Sequence, residues 1–218
     1  MKIIVTAGPT REYIDSVRFI SNGSSGLMGC EVAAAAAGEH DVTLLIGAGG
    51  PPASVASRLD GVQIVPFTSV SDLKDKLTSR FADCDILVMT AAVGDFRPAD
   101  QIAGKIPRAG GAITLRLEPT EDILGSLAGS KRGDQVVVAF AVEDGPRYQI
   151  EAKALGEMHA KGADCVVINT PAAMGKGDSE ACVMSRRGVL APWDMRPKET
   201  LARLIVDILG RLGSDQIA

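Results

Sequence analysis

The stretch SNGSSGLMG at residues 21–29 runs directly into the alanine-rich segment Ala33–Ala37, so a small-residue loop leads into a helix. Ser24 or Ser25 suits the N-cap position, because a serine hydroxyl accepts a hydrogen bond from a free backbone N–H of the first turn. The three glycines of the stretch allow backbone amides to approach an anion, and the helix dipole favours negative charge there. The stretch therefore predicts either an anion-binding helix start or a tight cap that packs a helix against a sheet.

Short apolar runs alternate with helical patterns through the rest of the chain. The predicted strands are 2–7, 41–47, 62–67, 85–90, 135–141 and 164–169, and helical patterns cover 73–81, 146–161 and 197–212. Because the strands are continuous apolar runs, they are typical of a sheet covered on both faces. The pattern predicts an α/β fold with a doubly wound, mostly parallel, Rossmann-like sheet, and ligands at the carboxyl ends of its strands. A hairpin is predicted across Cys182–Ser185 and Gly188–Ala191.

The segment 104–119 interrupts this alternation and is predicted to project as a flap or arm. Within it, Ala112–Leu117 alternates apolar and polar residues, as a half-exposed strand does. Pro119, Thr120, Glu121 and Asp122 then resemble a helix start with Thr120 as the cap. No linker or internal repeat divides the sequence, so residues 1–218 are predicted to form a single domain.

The composition excludes several classes of function. Hydrophobic residues make up 46% of the 218 residues, aromatic residues only 4%, and the formal net charge is −4. Few aromatic side chains and no basic excess argue against binding nucleic acid or an anionic membrane. The four cysteines and two histidines are scattered, which argues against a CxxC motif, a disulfide framework or a histidine metal site. We expect a cytoplasmic protein with no signal peptide and no membrane span.

Polar side chains cluster where the predicted strands end. The loop from Gly8 to Ser24 is too long for a GxGxxG dinucleotide fingerprint, which disfavours a nicotinamide or flavin oxidoreductase. This loop carries polar residues that either contact substrate or brace the loop: Arg11, Glu12, Asp15, Arg18 and Asn22. The fourth strand leads to Asp95 and Arg97, and Lys105 follows in a glycine-flanked segment. A lysine there suits the charge that develops during phosphoryl or nucleotidyl transfer.

These stretches together resemble one family, phosphopantothenoylcysteine synthetase, the ligase of coenzyme A biosynthesis. The matching segments run in order over nearly the whole chain: 5–12 (VTAGPTRE), 14–22 (IDSVRFISN), 24–26 (SSG), 28–29 (MG), 91–98 (AAVGDFRP), 105–106 (KI), 121–124 (EDIL), 138–141 (VAFA) and 161–164 (KGAD). In bacteria, this domain is often the carboxyl-terminal half of a bifunctional flavoprotein.

The resemblance implies a two-step ligation with magnesium. The carboxylate of 4′-phosphopantothenate attacks the α-phosphate of a nucleoside triphosphate, usually CTP, and cysteine captures the acyl-nucleotide to form an amide. By position, Asn22 and Lys105 are then expected to be catalytic, and Arg18, Asn22 and Ala92 to bind substrate. The implied nucleotide-binding residues are Ser24, Ser25, Gly26, Met89, Thr90, Ala91, Asp95, Lys105, Glu121, Asp122, Ile123, Leu124, Phe140 and Lys161. The ligands of the metal stay unassigned.

Some positions depart from the family pattern. Bacterial members usually have lysine where Leu27 and Glu157 stand, and alanine where Gly94 stands. Exchanging a cation for Glu157 disfavours triphosphate binding unless another cation compensates. ATP in place of CTP, or a non-catalytic nucleotide-binding relative, therefore remain alternatives. The resemblance also implies a homodimer. These 218 residues do not include the decarboxylase half of the bifunctional flavoprotein, so a separate decarboxylase is a further possible partner.

Overall fold

An eight-stranded sheet forms the centre of the protein in the computed structural model, which describes residues 1–108 and 111–212. The strand order is β12 (Gly188–Pro197), β11 (Asp178–Ser185), β10 (Cys165–Asn169), β9 (Val136–Val142), β6 (Ile86–Met89), β1 (Lys2–Ala7), β4 (Asp41–Ile46) and β5 (Gln63–Pro66). The strands from β10 to β5 are parallel, and β11 and β12 extend the sheet as an antiparallel hairpin. The predicted hairpin is confirmed, with longer strands than the sequence indicated.

Helices cover both faces of this sheet. The helices are α1 (Leu27–Ala36), α2 (Ala53–Ala56), α3 (Val70–Phe81), α4 (Ile123–Ala128), α5 (Arg147–Ala160) and α6 (Lys198–Leu212). One buried cluster joins α1, α2 and α6 to the sheet, and a second joins α3, α4 and α5 to the opposite face. The two clusters explain why the strands are continuous apolar runs, and they confirm the doubly wound fold.

The chain reverses its direction across the sheet next to β1. It runs outward from β1 to β4 and β5, then returns to add β6 on the other side of β1. The connections after β1 and β6 therefore leave the sheet on different faces, although Pro9 and Ala92 still form one parallel bridge there. Ligand sites of open α/β sheets lie in the crevice at such a reversal.

The two helix starts predicted from hydroxyl residues are wrong in their caps. Helix α1 begins after Gly26, whose φ of 75° lies in the left-handed region that glycine adopts without strain. Ser24 and Ser25 instead accept hydrogen bonds from the amides of Gly26 and Leu27, at 3.2 and 3.4 Å, as serines do in turns. Ser24 therefore bonds within the loop, and Ser25 bonds the first amide of α1 from the position before the N-cap Gly26.

The cap of α4 also differs from the prediction. Asp122 is the N-cap of α4, and its Oδ1 accepts a hydrogen bond from the Gly125 amide at 3.1 Å. Thr120 instead donates its hydroxyl to the Gly94 carbonyl at 2.5 Å. A carboxylate two residues closer to the helix reaches the first turn, whereas the Thr120 hydroxyl is engaged by the loop after β6.

A short hairpin inside the long loop after β1 was not predicted. Its strands are β2 (Arg11–Tyr13) and β3 (Phe19–Ser21). Glu12 points to the amino end of α3, where its Oε1 accepts a hydrogen bond from the Val70 amide at 2.7 Å. Glu12 thus braces the loop against the sheet domain.

The arm is built on a second short hairpin, β7 (Phe96–Pro98) with β8 (Leu117–Pro119). The predicted strand at Ala112–Leu117 is wrong, because residues 111–116 are exposed and form no strand. The three-residue β7 offers partners only to Leu117–Pro119, so the ladder ends there. The predicted flap, 104–119, lies within this arm, and its residues Ala109 and Gly110 lie outside the described part.

A buried aspartate attaches the base of the arm to the loop after β1. Asp15 is completely buried, and its two carboxylate oxygens accept hydrogen bonds from the amides of Val17 and Arg18, at 2.8 and 2.7 Å, and from the Ile106 amide at 3.1 Å. Arg18 adds an ion pair with Asp15 at 3.1 Å. Burial alone raises the pKa of the Asp15 carboxyl, but these backbone donors and the guanidinium outweigh it and lower the pKa below the usual 3.8.

The four cysteines, Cys30, Cys84, Cys165 and Cys182, are free and buried. Burial raises the pKa of the Cys165 thiol to about 12, which keeps it protonated and unreactive. Within the described ranges, no helix is both long enough and apolar enough to cross a membrane.

We expect Gly29→Ala to lower the free energy of unfolding by about 1–3 kcal/mol, the usual cost of overpacking a tight interior. A Cβ at Gly29 would clash with Thr90 Oγ1 and would lie 2.6 Å from Ala7 Cβ and 2.7 Å from the Thr6 carbonyl oxygen. Urea unfolding measures the change. Gly156→Ala in α5 is the matched control, since its Cβ meets nothing within 4 Å. Equal stability changes in the two variants would contradict the close approach of α1.

We expect acid to remove the contribution of Asp15 to stability. Because the folded pKa is lower than the unfolded value, this contribution is present above about pH 3.8 and is lost as the pH falls further. The difference in unfolding free energy between wild type and Asp15→Asn should therefore be largest near pH 7 and shrink below pH ~4. Asp60→Asn, at an exposed carboxylate, is the control. A difference for Asp15→Asn that does not change with pH would refute this role.

Candidate active site

A large cleft lies at the carboxyl ends of β6 and β9. It has a volume of about 520 Å³ and is walled by the loop after β6, the start of α4, the end of β9 and one face of α5. The predicted residues that line it are Asn22, Met89, Ala91, Ala92, Asp95, Glu121, Asp122, Ile123, Leu124, Phe140 and Lys161. The fold thus brings residues from five separate segments of the sequence to one cavity.

A smaller recess of about 100 Å³ adjoins the cleft and shares with it Ala91, Ala92, Phe140, Val142 and Met174. The remaining predicted residues of the loop before α1, together with Thr90, line this recess: Ser24, Ser25 and Gly26. Each serine hydroxyl accepts a hydrogen bond from the backbone amide two residues ahead. Its own proton stays available for donation to a ligand. The start of α1 therefore faces the recess with hydroxyl and backbone donors.

Threonine side chains fix the backbone between the recess and the cleft. Thr6 Oγ1 accepts a hydrogen bond from the Ala91 amide at 3.0 Å, and Thr90 Oγ1 donates to the Thr6 carbonyl. Asn22 reaches across from the other side, where its Nδ2 donates to the Val93 carbonyl at 3.0 Å. The loop after β6 is thus held at both of its edges, and Asn22 lies at the mouth of the cleft.

The acidic residues of the cleft differ in what they contact. Glu121 forms an ion pair with Lys74 at 2.6 Å, and Asp122 caps α4. Asp95 is exposed, and in the described ranges its carboxylate has neither an ion pair nor a hydrogen bond. Asp95 is therefore the carboxylate of this cleft with the most freedom to bind a ligand.

The sequence interpretation missed several residues of the site. Glu143 and Lys153 line the cleft, and Asn169 and Lys198 line the recess. Helical spacing was the available signal for Lys153, since it lies two turns before Lys161 on α5. The signal for Asn169 was its place at the carboxyl end of the predicted strand 164–169. Lys198 had no comparable signal, because the way in which the antiparallel hairpin brings α6 back to the sheet edge is a tertiary feature.

Lys198 forms the buried end of the recess. Its side chain is 6% exposed, and its ammonium donates to the carbonyls of Ala173 and Lys176 at 2.9 and 2.7 Å. Burial lowers its pKa, because removal from water disfavours the charged form. These bonds hold the turn 171–177, which carries Met174 into the wall shared by both cavities.

Two predicted site residues lie outside the linings of the cleft and the recess. Arg18 is occupied by Asp15, and its Nη2 also donates to the Ile106 carbonyl at 3.3 Å. Lys105 is exposed and lies between Gly104 and Ile106, whose backbone groups bond to Ser16 and Asp15. The turn at 15–18 therefore positions Lys105 through Gly104 and Ile106. This turn belongs to the β2–β3 hairpin, which Asn22 directly follows.

Comparison with known proteins shows which family the chain belongs to. The family model described as the DNA/pantothenate metabolism flavoprotein C-terminal domain matches residues 1–212. The chain is 37% identical over 175 residues to the coenzyme A biosynthesis bifunctional protein CoaBC of Bacillus subtilis, covering 80% of this chain and 41% of that protein. It is 32% identical over 210 residues to a cysteine/cysteine sulfinic acid decarboxylase from an unknown prokaryotic organism, covering 94% of this chain and 56% of that protein. The chain thus spans about half the length of these curated relatives.

Solved structures show the same architecture. The crystal structure of the C-terminal domain of a CoaBC protein superposes with a TM-score of 0.76 at 29% identity, over 98% of this chain and 96% of that one. A DNA/pantothenate metabolism flavoprotein from Streptococcus pneumoniae gives a TM-score of 0.80 at 22% identity, over 96% and 98%, and shares the fold. The chain belongs to the DNA/pantothenate metabolism flavoprotein C-terminal domain family, the phosphopantothenoylcysteine synthetase family of coenzyme A biosynthesis.

Proposed function

We propose that this chain is a ligase that joins 4′-phosphopantothenate to cysteine through an acyl-cytidylate formed from CTP. The observation that supports this most is the shared lining of the cleft, because residues as distant in sequence as Asn22 and Lys161 line it together. Its volume of about 520 Å³ lies in the range of small-molecule sites. The relatives named coenzyme A biosynthesis proteins support the same pathway.

The proposed chemistry suits the side chains that are present. A carboxylate nucleophile is already ionised at neutral pH, so the first step needs no general base. It needs alignment of the carboxylate with phosphorus and neutralisation of the charge that develops on the phosphate. We assign neutralisation to Lys105 and handling of the acyl intermediate to Asn22, whose amide is fixed by the Val93 carbonyl.

The second step uses the amine of cysteine as nucleophile. The amine attacks the acyl carbon of the mixed anhydride, the C–O bond to the nucleoside monophosphate breaks, and one proton leaves the nitrogen. The phosphate of the departing nucleotide can accept that proton. We propose that Asn22 orients the acyl group and that Arg18 and Ala92 contribute to binding the phosphopantothenate portion, Arg18 after movement away from Asp15.

Magnesium is proposed to enter with the nucleotide. In the described residues no group of three or more histidine, cysteine, aspartate or glutamate side chains could hold a metal ion. Mg²⁺ in nucleotide sites commonly has one or two carboxylates together with phosphate oxygens and water, and the uncommitted Asp95 carboxylate fits that requirement. When bound, the ion would neutralise phosphate charge. Asp95 would hold the ion and would thereby orient the nucleotide.

ATP is the second candidate nucleotide, because Leu27 and Glu157 stand where bacterial members of the family usually have lysine. The proposed reaction is otherwise identical. A nucleotide-binding relative without activity is the third candidate; the presence of Asn22, Asp95 and Lys105 together supports catalysis instead. We place the reaction in the cytoplasm, with no nucleic acid or membrane involved.

A homodimer is proposed on the basis of the arm. Its apolar side chains Phe96, Ile113, Leu115 and Leu117 are between 40% and 57% exposed. An exposed apolar group of this size is typical of a protein interface. A decarboxylase is a further proposed partner, because the relatives named coenzyme A biosynthesis proteins are bifunctional.

We expect the purified protein to release pyrophosphate when 4′-phosphopantothenate, Mg²⁺ and CTP are present, and to form the amide once cysteine is added. The same reactions with ATP, GTP and UTP give the nucleotide preference. Release with ATP alone would overturn the assignment of CTP. Tight nucleotide binding without pyrophosphate release from any nucleotide would favour the non-catalytic relative.

We expect Lys105→Ala to slow nucleotide-dependent activation by two or more orders of magnitude, because a cation near the reacting phosphate is lost. Pyrophosphate release under single-turnover conditions measures this step. Arg116→Ala is the control, since Arg116 is an arm cation paired with Asp100 at 3.5 Å. Turnover of Lys105→Ala within a few-fold of wild type would remove Lys105 from the mechanism.

A further inference from the structure

Helix α5 presents three charged residues to the cleft at successive turns: Lys153, Glu157 and Lys161. Residues four apart lie on the same face of a helix, and all three line the cleft. In the described lining, Lys153 and Lys161 are the cations, whereas Asp95, Glu121, Asp122, Glu143 and Glu157 are the acids. Within this lining, the positive charge that a triphosphate would meet therefore comes from these two lysines.

Glu157 lies between the two lysines and interacts with both. Its Oε1 is 3.8 Å from Lys153 Nζ, and its Oε2 is 3.6 Å from Lys161 Nζ. Lys161 Nζ is also 3.7 Å from a carboxylate oxygen of Asp122. Both lysines are thus already partly neutralised by carboxylates, which reduces the attraction that each exerts on a phosphate group.

Glu143 holds Lys153 at the wall of the cleft. The Lys153 ammonium donates to Glu143 Oε2 at 2.8 Å, and the hydrogen bond to this carboxylate raises the pKa of Lys153. Glu143 is 13% exposed and follows the last residue of β9, so its position is fixed by the sheet. Lys153 is 59% exposed, and an ammonium has three N–H donors, so two donors stay available beside the bond to Glu143.

We propose that Lys153 is a second phosphate-binding lysine of this cleft, positioned by Glu143 and opposed by Glu157. The proposal rests on the proposed function. It specifies which residue supplies positive charge in place of the lysine that bacterial members of the family usually have where Glu157 stands. Lys153 and Lys161 lie two helical turns apart, about 12 Å along the axis, so they address different phosphate groups or opposite sides of one chain of phosphates.

The test measures binding of CTP and CMP by isothermal titration calorimetry with and without Mg²⁺, and of ATP and AMP in parallel. Lys153→Gln should weaken CTP binding about tenfold, the usual size of one lost charge-assisted hydrogen bond. The same variant should change CMP binding by less than threefold. Glu157→Gln should strengthen CTP binding about three- to tenfold, and Lys153→Arg should retain most of the wild-type affinity.

Lys76→Gln is the matched control, because Lys76 forms an ion pair with Asp72 four residues away on α3, outside the cleft and the recess. CTP affinity should be unchanged in this variant. Steeper salt dependence of CTP binding in wild type than in Lys153→Gln would support a direct charge contact.

The outcomes separate this proposal from the proposed function. If wild type binds CTP or ATP and the affinity of Lys153→Gln for that nucleotide is within twofold of wild type, Lys153 is only the partner of Glu143. The ligase assignment then stands. Equal weakening of triphosphate and monophosphate binding would indicate a structural role for Lys153 and would also overturn the proposal. If wild type binds no nucleoside triphosphate, both the proposed function and the second phosphate-binding lysine are refuted.

Discussion

The close approach of α1 to the carboxyl ends of β1 and β6 is the contact on which the site depends. Gly29 leaves room for Thr90 and Ala7, and the left-handed Gly26 turns the chain into the helix beside Gly8. A side chain at either position would push α1 outward, widening the recess and moving the loop donors away from it. The small residues of this stretch are therefore required by packing, whether or not a phosphate binds there.

The crevice follows from the strand order as much as from the helix. Because the chain reverses direction across the sheet beside β1, the helices that follow β1 and β6 cover different faces of the sheet, and the cleft opens at the carboxyl ends of β6 and β9. Thr6 and Thr90 bond the end of β1 to the residues after β6 beside this cleft. This edge of the cleft is therefore fixed by backbone contacts, whereas the nearby hairpin and arm are anchored by a few polar contacts.

The anchor of the arm shows how polar residues of a loop divide between structure and chemistry. Glu12 and Asp15 are buried and hydrogen-bonded to backbone amides, and Arg18 is paired with Asp15. Asn22 and Lys105 lie on segments that these contacts hold in place. Residue types in the loop left open whether each side chain contacts substrate or braces the loop, and burial and pairing distinguish the braces from the groups that are free to meet a ligand.

The sequence by itself determined the class of fold and indicated the strand ends at which the cleft lies. The continuous apolar runs at 2–7, 85–90 and 135–141 require a sheet covered on both faces, and the small-residue stretch at 21–29 requires a helix close to that sheet. These features could be predicted because they arise from local periodicity and from steric limits at single residues. Motif resemblance extended the prediction to Asn22 and Lys105, whose catalytic roles stay predictions.

Only the tertiary structure decided which residues share the cleft and which groups neutralise one another. The pairing of Glu143 with Lys153 requires a strand end and a helix face to meet, whereas the pairs of Glu157 with the two lysines follow from helical spacing alone. The length of β8 in the arm likewise depended on β7, its three-residue partner strand, rather than on the alternating pattern at 112–117. Such contacts join residues far apart in sequence or depend on a partner's length, and local patterns carry no information about either.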